Sequence, residues 1–516
     1  MTNTRKMAQS AAMIAIFTLI SKFLGFLREV LIASKYGSGY ETDTYFVAMT
    51  ATVIIMTTIG ASLNTTLIPI FTEIEGKKGR QGKLKFLNNI LNVVFLITIL
   101  LALLGFFFSP IVIKILAKGF TGEQFDLAVR LNRIGLPIII FLGFTYVFSG
   151  YLHSSEIFGP PAIMGLPYNL VFIVFLFIFA EKGHIEGLML ASVVAASTQF
   201  LIQVPAIKHQ GYVYSLDVDL NDKHLKKSLI LVLPVVVGSA VQQINTVIDK
   251  TLASSLVEGS ISALTYASRI NDLIISVFVM AITTVIFPML SKAFSQEDEL
   301  QVRKIMGQGI NIILIITVPA TIGILILAKP MVRLFFERGA FSEMATQMTS
   351  SALIFYSLGL VGASLRLMLN KVYYSFQDTK TPMINGAIAV GLNVGLNLIL
   401  IKYMAHSGLA LATSISATFT TLLLFLDLRK KIGPMGLKKY LICFFKTLFA
   451  SIIMGVIVYA IFFGLTPKLP NKWIVELLLL ILSVVVGVLV YFILCCVLKV
   501  KEMRILMRGL VKRTRR

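Results

Sequence analysis

The sequence predicts an all-α integral membrane protein with fourteen transmembrane helices: two parallel six-helix repeats, then two C-terminal helices. Three observations predict it. Only 14% of the 516 residues are charged and 57% are apolar, with a mean hydropathy of +0.86, whereas a soluble domain is about a quarter charged. Apolar runs of roughly 20 residues, enough to cross a bilayer core of about 30 Å, recur along the chain. Short motifs of the first half return in the second at a nearly constant offset.

The first span, 11–33, has no small-residue cleavage site ahead of a soluble domain, so it reads as a retained helix and not a signal peptide. Spans two and three, 45–72 and 87–117, flank a basic stretch; spans four to six are 129–152, 161–180 and 186–207. The second series is 227–253, 262–290, 308–328, 349–372, 383–403 and 408–428, and 440–464 and 473–498 close the chain. Backbone groups in lipid have no water to bond, so runs of this kind must be helices. Pro137, Pro167, Pro205, Pro234 and Pro319 lie inside spans, where kinks are expected.

Basic residues set the orientation. With the N-terminus in the cytoplasm, the inner loops hold Lys77, Lys78, Arg80, Lys83 and Lys85, then Lys208, Lys223, Lys226 and Lys227, then Arg429, Lys430, Lys431, Lys438 and Lys439. The outer loops are poor in basic residues apart from Lys329, Arg333 and Arg338. The positive-inside rule therefore puts both termini in the cytoplasm. The net charge of +22 would suggest nucleic acid for a soluble protein. Here the tail of Lys499, Lys501, Arg504, Arg508, Lys512, Arg513, Arg515 and Arg516 directly follows a span and suits anionic membrane lipids, so no nucleic-acid partner is expected.

The repeat has an offset near 220 residues. Glu156 and Pro160 match Asp378 and Pro382, 222 later; Gly187 to Ser192 matches Gly408 to Thr413, 221 later; Thr65 to Pro69 resembles Thr284 to Pro288. An even number of spans per repeat gives both copies the same orientation, as in transporters whose two bundles rock about a central path. The expected domains are residues 1–212, 213–433, 434–498 for the two added helices, and 499–516 for the basic tail.

Charge within spans is costly and marks function. The first span carries Ser21, Lys22, Gly25, Arg28 and Glu29; Ser21, Gly25, Arg28 and Glu29 share one helical face. Asp43 stands at the start of the second span, and Arg269 and Asp272 are i, i+3 in the eighth. Arginines facing a cleft between the bundles would receive an anion, and their fork geometry suits phosphate. The acids would hold the arginines in place. A second set is Asp249, Asn393, Asn397 and Thr413, an oxygen-rich group that suits a hard cation. The same groups also serve as interhelical hydrogen-bonding glue, and spacing leaves both readings open.

Other function classes find no support. Cys443, Cys495 and Cys496 show no metal or disulfide spacing. The five histidines sit near loop ends without ligand spacing, and Gly76-Lys77-Lys78-Gly79 is no phosphate loop. Nucleophile-elbow and zinc-protease motifs are absent, so no enzyme and no tightly bound cofactor is expected.

The stretches Ser21-Lys22-Phe23-Leu24-Gly25-Phe26-Leu27-Arg28-Glu29, Thr42-Asp43-Thr44-Tyr45-Phe46-Val47-Ala48, Tyr266-Ala267-Ser268-Arg269 and Tyr374-Ser375-Phe376-Gln377-Asp378-Thr379-Lys380-Thr381-Pro382 resemble the MurJ (MviN) family. That family sits within the multidrug/oligosaccharidyl-lipid/polysaccharide exporter superfamily. The resemblance covers nearly the whole chain, including the two extra helices. It implies a flippase for lipid II, the undecaprenyl-pyrophosphate-linked peptidoglycan precursor, with a cationic cavity and a groove for the lipid tail at the last two helices. It places Arg28 and Arg269 on cavity arginines, Lys22 where an arginine is usual, and Glu29 and Asp43 on acidic motif positions. It also places Asp249, Asn393, Asn397 and Thr413 on a sodium site, which makes Na+ a candidate coupling ion. The cell wall synthesis machinery is an implied partner. One departure stands out: Met56 occupies a position where many members carry a further cavity arginine. This keeps a flippase for another polyprenyl-linked glycan in view. A cation-coupled drug exporter, a membrane glycosyltransferase and a scaffold remain as further alternatives.

Overall fold

The computed structural model describes residues 3–180, 184–470 and 472–503; the tail predicted beyond 503 lies outside them. Among the described residues the chain is helical, with no strand. The first series is α1 Asn3–Tyr36, α2 Tyr40–Leu116, α3 Gly122–Gly135, α4 Pro137–Ser154, α5 Gly159–Ile163, α6 Gly165–Ile178, α7 Ile185–Leu201 and α8 Val204–His209. The second is α9 Lys223–Ala253, α10 Ser260–Ile274, a π-helical turn Ile275–Val279, α11 Met280–Ser295, α12 Glu299–Phe336, α13 Glu343–Leu358, α14 Leu360–Ser375 and α15 Lys380–Ile432. Then come α16 Leu437–Leu465 and α17 Trp473–Val497. Ten helical stretches among the described residues are long and apolar enough to cross a membrane, eleven with α13 and α14 taken as one bent span.

Two of these helices are double. The 77-residue α2 breaks at Gly79, whose φ of 66° and ψ of −174° suit a residue without Cβ. The 53-residue α15 breaks at Ala405, and there a Cβ on Gly408 would meet the Leu400 carbonyl at 2.5 Å. The chain folds back there, at the turn predicted before Gly408.

Proline is only part of the kink story. α4 begins at Pro137 and α8 has Pro205 in its first turn, but α12 runs unbroken through Pro319. The 47° bend between α13 and α14 has another cause. A Cβ on Gly359 would stand 2.6 Å from the Ser414 Cα, and Ser414 Oγ donates to the Phe355 and Tyr356 carbonyls at 2.6 and 3.2 Å. A hydroxyl wedged into the ladder bends a helix while keeping its carbonyls bonded.

The chain forms two compact units. The N-terminal unit is Met1–Ser262 with Arg338–Phe341. Its core packs Leu67, Ile70 and Phe71 of α2 against Val147, Phe148 and Tyr151 of α4, and α9 lies along α2. Lys83, read from sequence as a loop cation, is fully buried here. Its ammonium meets Glu75 and Ser155, both at 2.7 Å, and lies over the Tyr151 ring. The link between repeats, residues 212–222, is strapped to α2 by three buried asparagines. Asn89 exchanges two bonds with the Asp219 backbone at 2.8 and 2.9 Å, and Asn92 donates to the Ser215 and Asp217 carbonyls. Asn88 accepts from Tyr212.

The C-terminal unit is Ala263–Glu337 with Ser342–Arg516. One core joins α11, α12, α14 and α15. A second fixes the added helices to α12 through Ile315, Leu327, Met454, Val458 and Phe462. Tyr491 of α17 donates to the Ile315 carbonyl at 2.8 Å. In lipid such contacts hold by close packing and a few hydrogen bonds, because burial from water is already complete.

The repeat shows in backbone detail. The chain turns left-handed at Glu156 (φ 59°) and at Gln377 (φ 58°), 221 residues apart. Each turn is closed by matching bonds, Ile157 N–H to Leu152 and Asp378 N–H to Tyr373. In each unit an arginine donates to a carbonyl near the end of the sixth helix of its repeat: Arg80 to Gln210 and Arg303 to Ile432.

Candidate functional site

In the N-terminal unit the polar stripe of α1 packs on α5 and α6. A Cβ on Gly165 would run into Ser21 Oγ, so the two backbones meet closely there. Gly25 leaves room beside Asn169, and Asn169 Nδ2 donates to the Ser21 carbonyl at 3.1 Å. Asn169 Oδ1 accepts from Arg28 Nη1 at 3.2 Å, while Arg28 Nη2 pairs with Glu29 at 2.7 Å. The Tyr168 and Phe172 rings sit 5.4 and 5.0 Å from the guanidinium carbon. Glu29 is 3% exposed and Arg28 16%. A charge taken this far from water needs a partner, and Arg28 has one anion, one amide and two π-faces. Lys22 is exposed and has no partner among the described residues.

Asp43 is buried and does a different task. One carboxylate oxygen accepts the Gly259 N–H at 2.8 Å, and the other accepts the Ser262 N–H at 2.7 Å and the Ser262 hydroxyl. A carboxylate on the first N–H groups of a helix is favoured by bond and dipole alike. Nearby, Ala340 N–H donates to the Ser34 carbonyl at 2.8 Å, and a Cβ on Gly37 would touch the Ala340 carbonyl at 2.5 Å. The α1–α2 turn, the 254–262 segment and residues 338–341 are thus tied together within this unit.

In the C-terminal unit Arg269 and Asp272 lie on the exposed face of α10, with Tyr266, Ala267 and Ile270 buried behind them. The π-helical turn Ile275–Val279 begins directly after Ile274, and such turns are frequent at functional sites. Asn393, Asn397 and Thr413 are buried or half-buried and bonded in series. Asn397 Nδ2 donates to Asn393 Oδ1 at 2.8 Å and Asn393 Nδ2 to Thr413 Oγ1 at 3.4 Å. Asp249 is half-buried on α9, in the N-terminal unit. No cluster of three or more His, Cys, Asp or Glu able to hold a metal occurs among the described residues.

Met56 is 1% exposed and packs on Leu136 and Ile139, so this position belongs to apolar packing. Sequence reading missed Tyr168, Asn169 and Phe172, which complete the setting of Arg28. It also passed over Arg366 and Lys371, cations within the tenth span. The i, i+4 spacing of Arg366 and Asn370 was the available signal.

Comparison with known proteins agrees with this architecture. The family model described as "Lipid II flippase MurJ" matches residues 32–484. A probable lipid II flippase MurJ of Rickettsia prowazekii is 31% identical over 81% of this chain and 83% of its own. A solved lipid II flippase MurJ in an inward closed conformation superposes with a TM-score of 0.80 at 26% identity, covering 95% of this chain and 99% of that one. A multidrug resistance MATE family transporter of the MOP superfamily, in an inward-facing conformation, shares the fold at a TM-score of 0.67 and 16% identity, over 82% of this chain and 98% of its own. The chain belongs to the lipid II flippase MurJ family of multi-pass membrane proteins.

Proposed function

We propose that the protein carries lipid II from the inner to the outer leaflet of the cytoplasmic membrane, for cell wall synthesis, by alternating access of its two helical repeats. It works as a transporter and not as an enzyme. The observation that carries this reading is the family match together with Arg28, an intramembrane guanidinium braced by Glu29, Asn169 and two rings. The pyrophosphate meets Arg28, with Lys22 and Arg269 adding charge on exposed faces. The polyprenyl tail stays in lipid along α16 and α17, whose outer faces expose Phe445, Phe449, Val456, Leu478, Ile481 and Val485. Both termini lie in the cytoplasm, as the basic loops favour.

The coupling ion of this proposal is Na+, carried as cargo. Asn393, Asn397 and Thr413 offer oxygen donors in one buried series of the C-terminal unit. An amide oxygen has two lone pairs, so Asn393 Oδ1 can serve a cation while holding Asn397. Each charge moved across the membrane is worth about 2.3 kcal/mol per 100 mV. The cell wall synthesis machinery is the expected downstream partner.

The test depletes the resident lipid II flippase of a bacterial host, expresses this chain, and measures lipid II in the outer leaflet. Restored export that disappears in Arg28→Ala/Arg269→Ala, at equal membrane abundance, supports the reading. A well-inserted wild type without export shifts the substrate to another polyprenyl-linked glycan, as the apolar setting of Met56 would allow. Loss of export when Na+ is replaced by K+ supports the coupling ion, and unchanged export removes it.

A further inference from the structure

Away from Arg28, the N-terminal unit holds a cavity of about 370 Å³ where the second half of α2 meets α4, the end of α7 and α8. Its walls are aromatic. The rings form one ladder: Phe95 to Phe144 at 5.6 Å, Phe144 to Phe200 at 5.2 Å, Phe200 to Phe148 at 5.2 Å and Phe148 to Tyr212 at 6.2 Å. Lys208 of α8 lines the same cavity, eight residues or about 12 Å of helix beyond Phe200. Leu96 and Leu201, next to Phe95 and Phe200 in the chain, are exposed, so the surface beside the cavity faces lipid.

Two cations stand at the Lys208 end without an acid. The Lys208 ammonium has no partner among the described residues. Arg80 uses only its Nε, on the Gln210 carbonyl at 3.1 Å, two residues past Lys208. Its counterpart in the second repeat, Arg303, bonds the Ile432 carbonyl and also pairs with Glu299 at 3.1 Å. The fork that is closed on Arg303 is therefore open on Arg80. The acids of the neighbouring link are already engaged: Asp217 by the Ser215 hydroxyl, Asp219 by the Asn221 N–H, and Asp222 by the first N–H groups of α9. The link also displays Val213, Leu216 and Leu220 to the outside while its backbone is held on Asn89 and Asn92. Apolar side chains shown beside lysines suit a segment that lies in the headgroup layer.

An empty apolar void costs its lining the dispersion contacts of one whole side, so a cavity open to lipid fills with a hydrocarbon chain. The cations decide which lipid supplies it. Basic pockets between spanning helices on the cytoplasmic side take anionic head groups, and the basic loops place this end of the unit in the cytoplasm.

We propose that this cavity binds one anionic phospholipid of the inner leaflet, its acyl chain along Phe95, Phe144, Phe148 and Phe200 and its phosphate between Lys208 and Arg80. The site is built from other side chains than the setting of Arg28 and does not rest on the transport reading.

The experiment places the full chain in phosphatidylcholine nanodiscs with a trace of phosphatidylglycerol that carries a diazirine on one acyl chain, and maps the labelled peptides after irradiation. Labelling is expected at residues 144–148 and 200–204, about ten-fold stronger than with phosphatidylcholine bearing the same chain. Arg80→Gln/Lys208→Gln should reduce it about ten-fold, and Val204→Phe, which fills the cavity, should reduce it for both probes. Thermal melting accompanies each variant, and Lys208→Gln alone serves, with a loss of about three-fold, if the double variant does not fold. Equal labelling by the two probes, labelling within two-fold of wild type by a well-folded charge variant, or a wild type unlabelled at these peptides overturns the proposal. Suppression of the labelling by undecaprenyl pyrophosphate at lower concentration than by unlabelled phosphatidylglycerol makes the cavity a substrate position and overturns it as well.

Discussion

The two units hold their intramembrane arginines in opposite ways. In the N-terminal unit Arg28 is enclosed by Glu29, Asn169, Tyr168 and Phe172. In the C-terminal unit Arg269 lies on an exposed helix face and Arg366 has no hydrogen-bonding partner among the described residues. The repeat sharpens the contrast. Asp249 and Lys250 stand 221 residues after Arg28 and Glu29, so corresponding positions carry the opposite charge order. Duplicated helices thus share a fold while their polar chemistry diverges. An enclosed guanidinium is pre-organised for one geometry, and an exposed one can follow a moving anion; the first favours recognition and the second passage.

The strongest way to break this comparison is to loosen Arg28. Arg28→Ala leaves Glu29 buried at 3% exposure without its partner. Removing one member of a buried pair costs about 3–5 kcal/mol, so both melting temperature and export should collapse. Arg28→Lys keeps the charge but loses the fork that spans Glu29 and Asn169, and export should fall about ten-fold while the fold survives. Outer-leaflet lipid II at equal membrane abundance is the readout. Wild-type export by Arg28→Lys would mean that the brace has no part in recognition.

Arg269 should behave in the reverse manner. Its exposed position predicts a stability change within about 0.5 kcal/mol for Arg269→Ala, with export reduced several-fold. Arg269→Lys should restore most of it, because a cation on an exposed face acts mainly through charge. A melting shift as large as that of Arg28→Ala would erase the distinction between the units.

Much of this contrast was hidden from the sequence for a physical reason. Spacing along one helix is local, and Ser21, Gly25, Arg28 and Glu29 announced a polar stripe. The groups that complete it, Asn169 and Phe172, lie about 140 residues away on α6. The repeat was legible because turn chemistry is local too, as at Glu156 and Gln377. What it did not convey was partner choice. Ser192 shares a hydrogen bond with Tyr45 at 3.0 Å, whereas Thr413, its counterpart 221 residues on, is bonded by Asn393. Asp43 was read as an acid that holds the arginines in place; its two oxygens meet Gly259 and Ser262, a contact no periodicity signals. Lys83 looked like a loop cation until its distant neighbours Tyr151 and Ser155 came into view.

Asp43 gives an intermediate effect within the N-terminal unit. Asp43→Asn keeps an acceptor for one N–H but loses the negative charge at the first turn of α10. Loss of such a capping interaction costs about 1 kcal/mol, so the variant should melt a few degrees lower with the fold intact. Hydrogen exchange should rise first at Gly259 and Ser262. Unchanged protection there would mean that the tie among the α1–α2 turn, the 254–262 segment and residues 338–341 does not depend on the carboxylate.

The smallest effect comes from the C-terminal unit, at the turn that corresponds to Glu156. Burial alone would raise the Asp378 carboxyl, but hydrogen bonds from Lys431 and Thr381 outweigh it and hold the group down at about 2, against an ordinary 3.8. A depressed carboxyl stabilises the fold above its unfolded value and loses that contribution as pH falls through the folded one. Asp378→Asn should therefore melt below wild type by the same small margin from pH 8 to pH 5. The margin should shrink between about pH 4 and pH 2, as the wild-type carboxylate takes its proton. A margin that vanished near neutral pH would place the titration on another group and remove the Lys431 pair as its source.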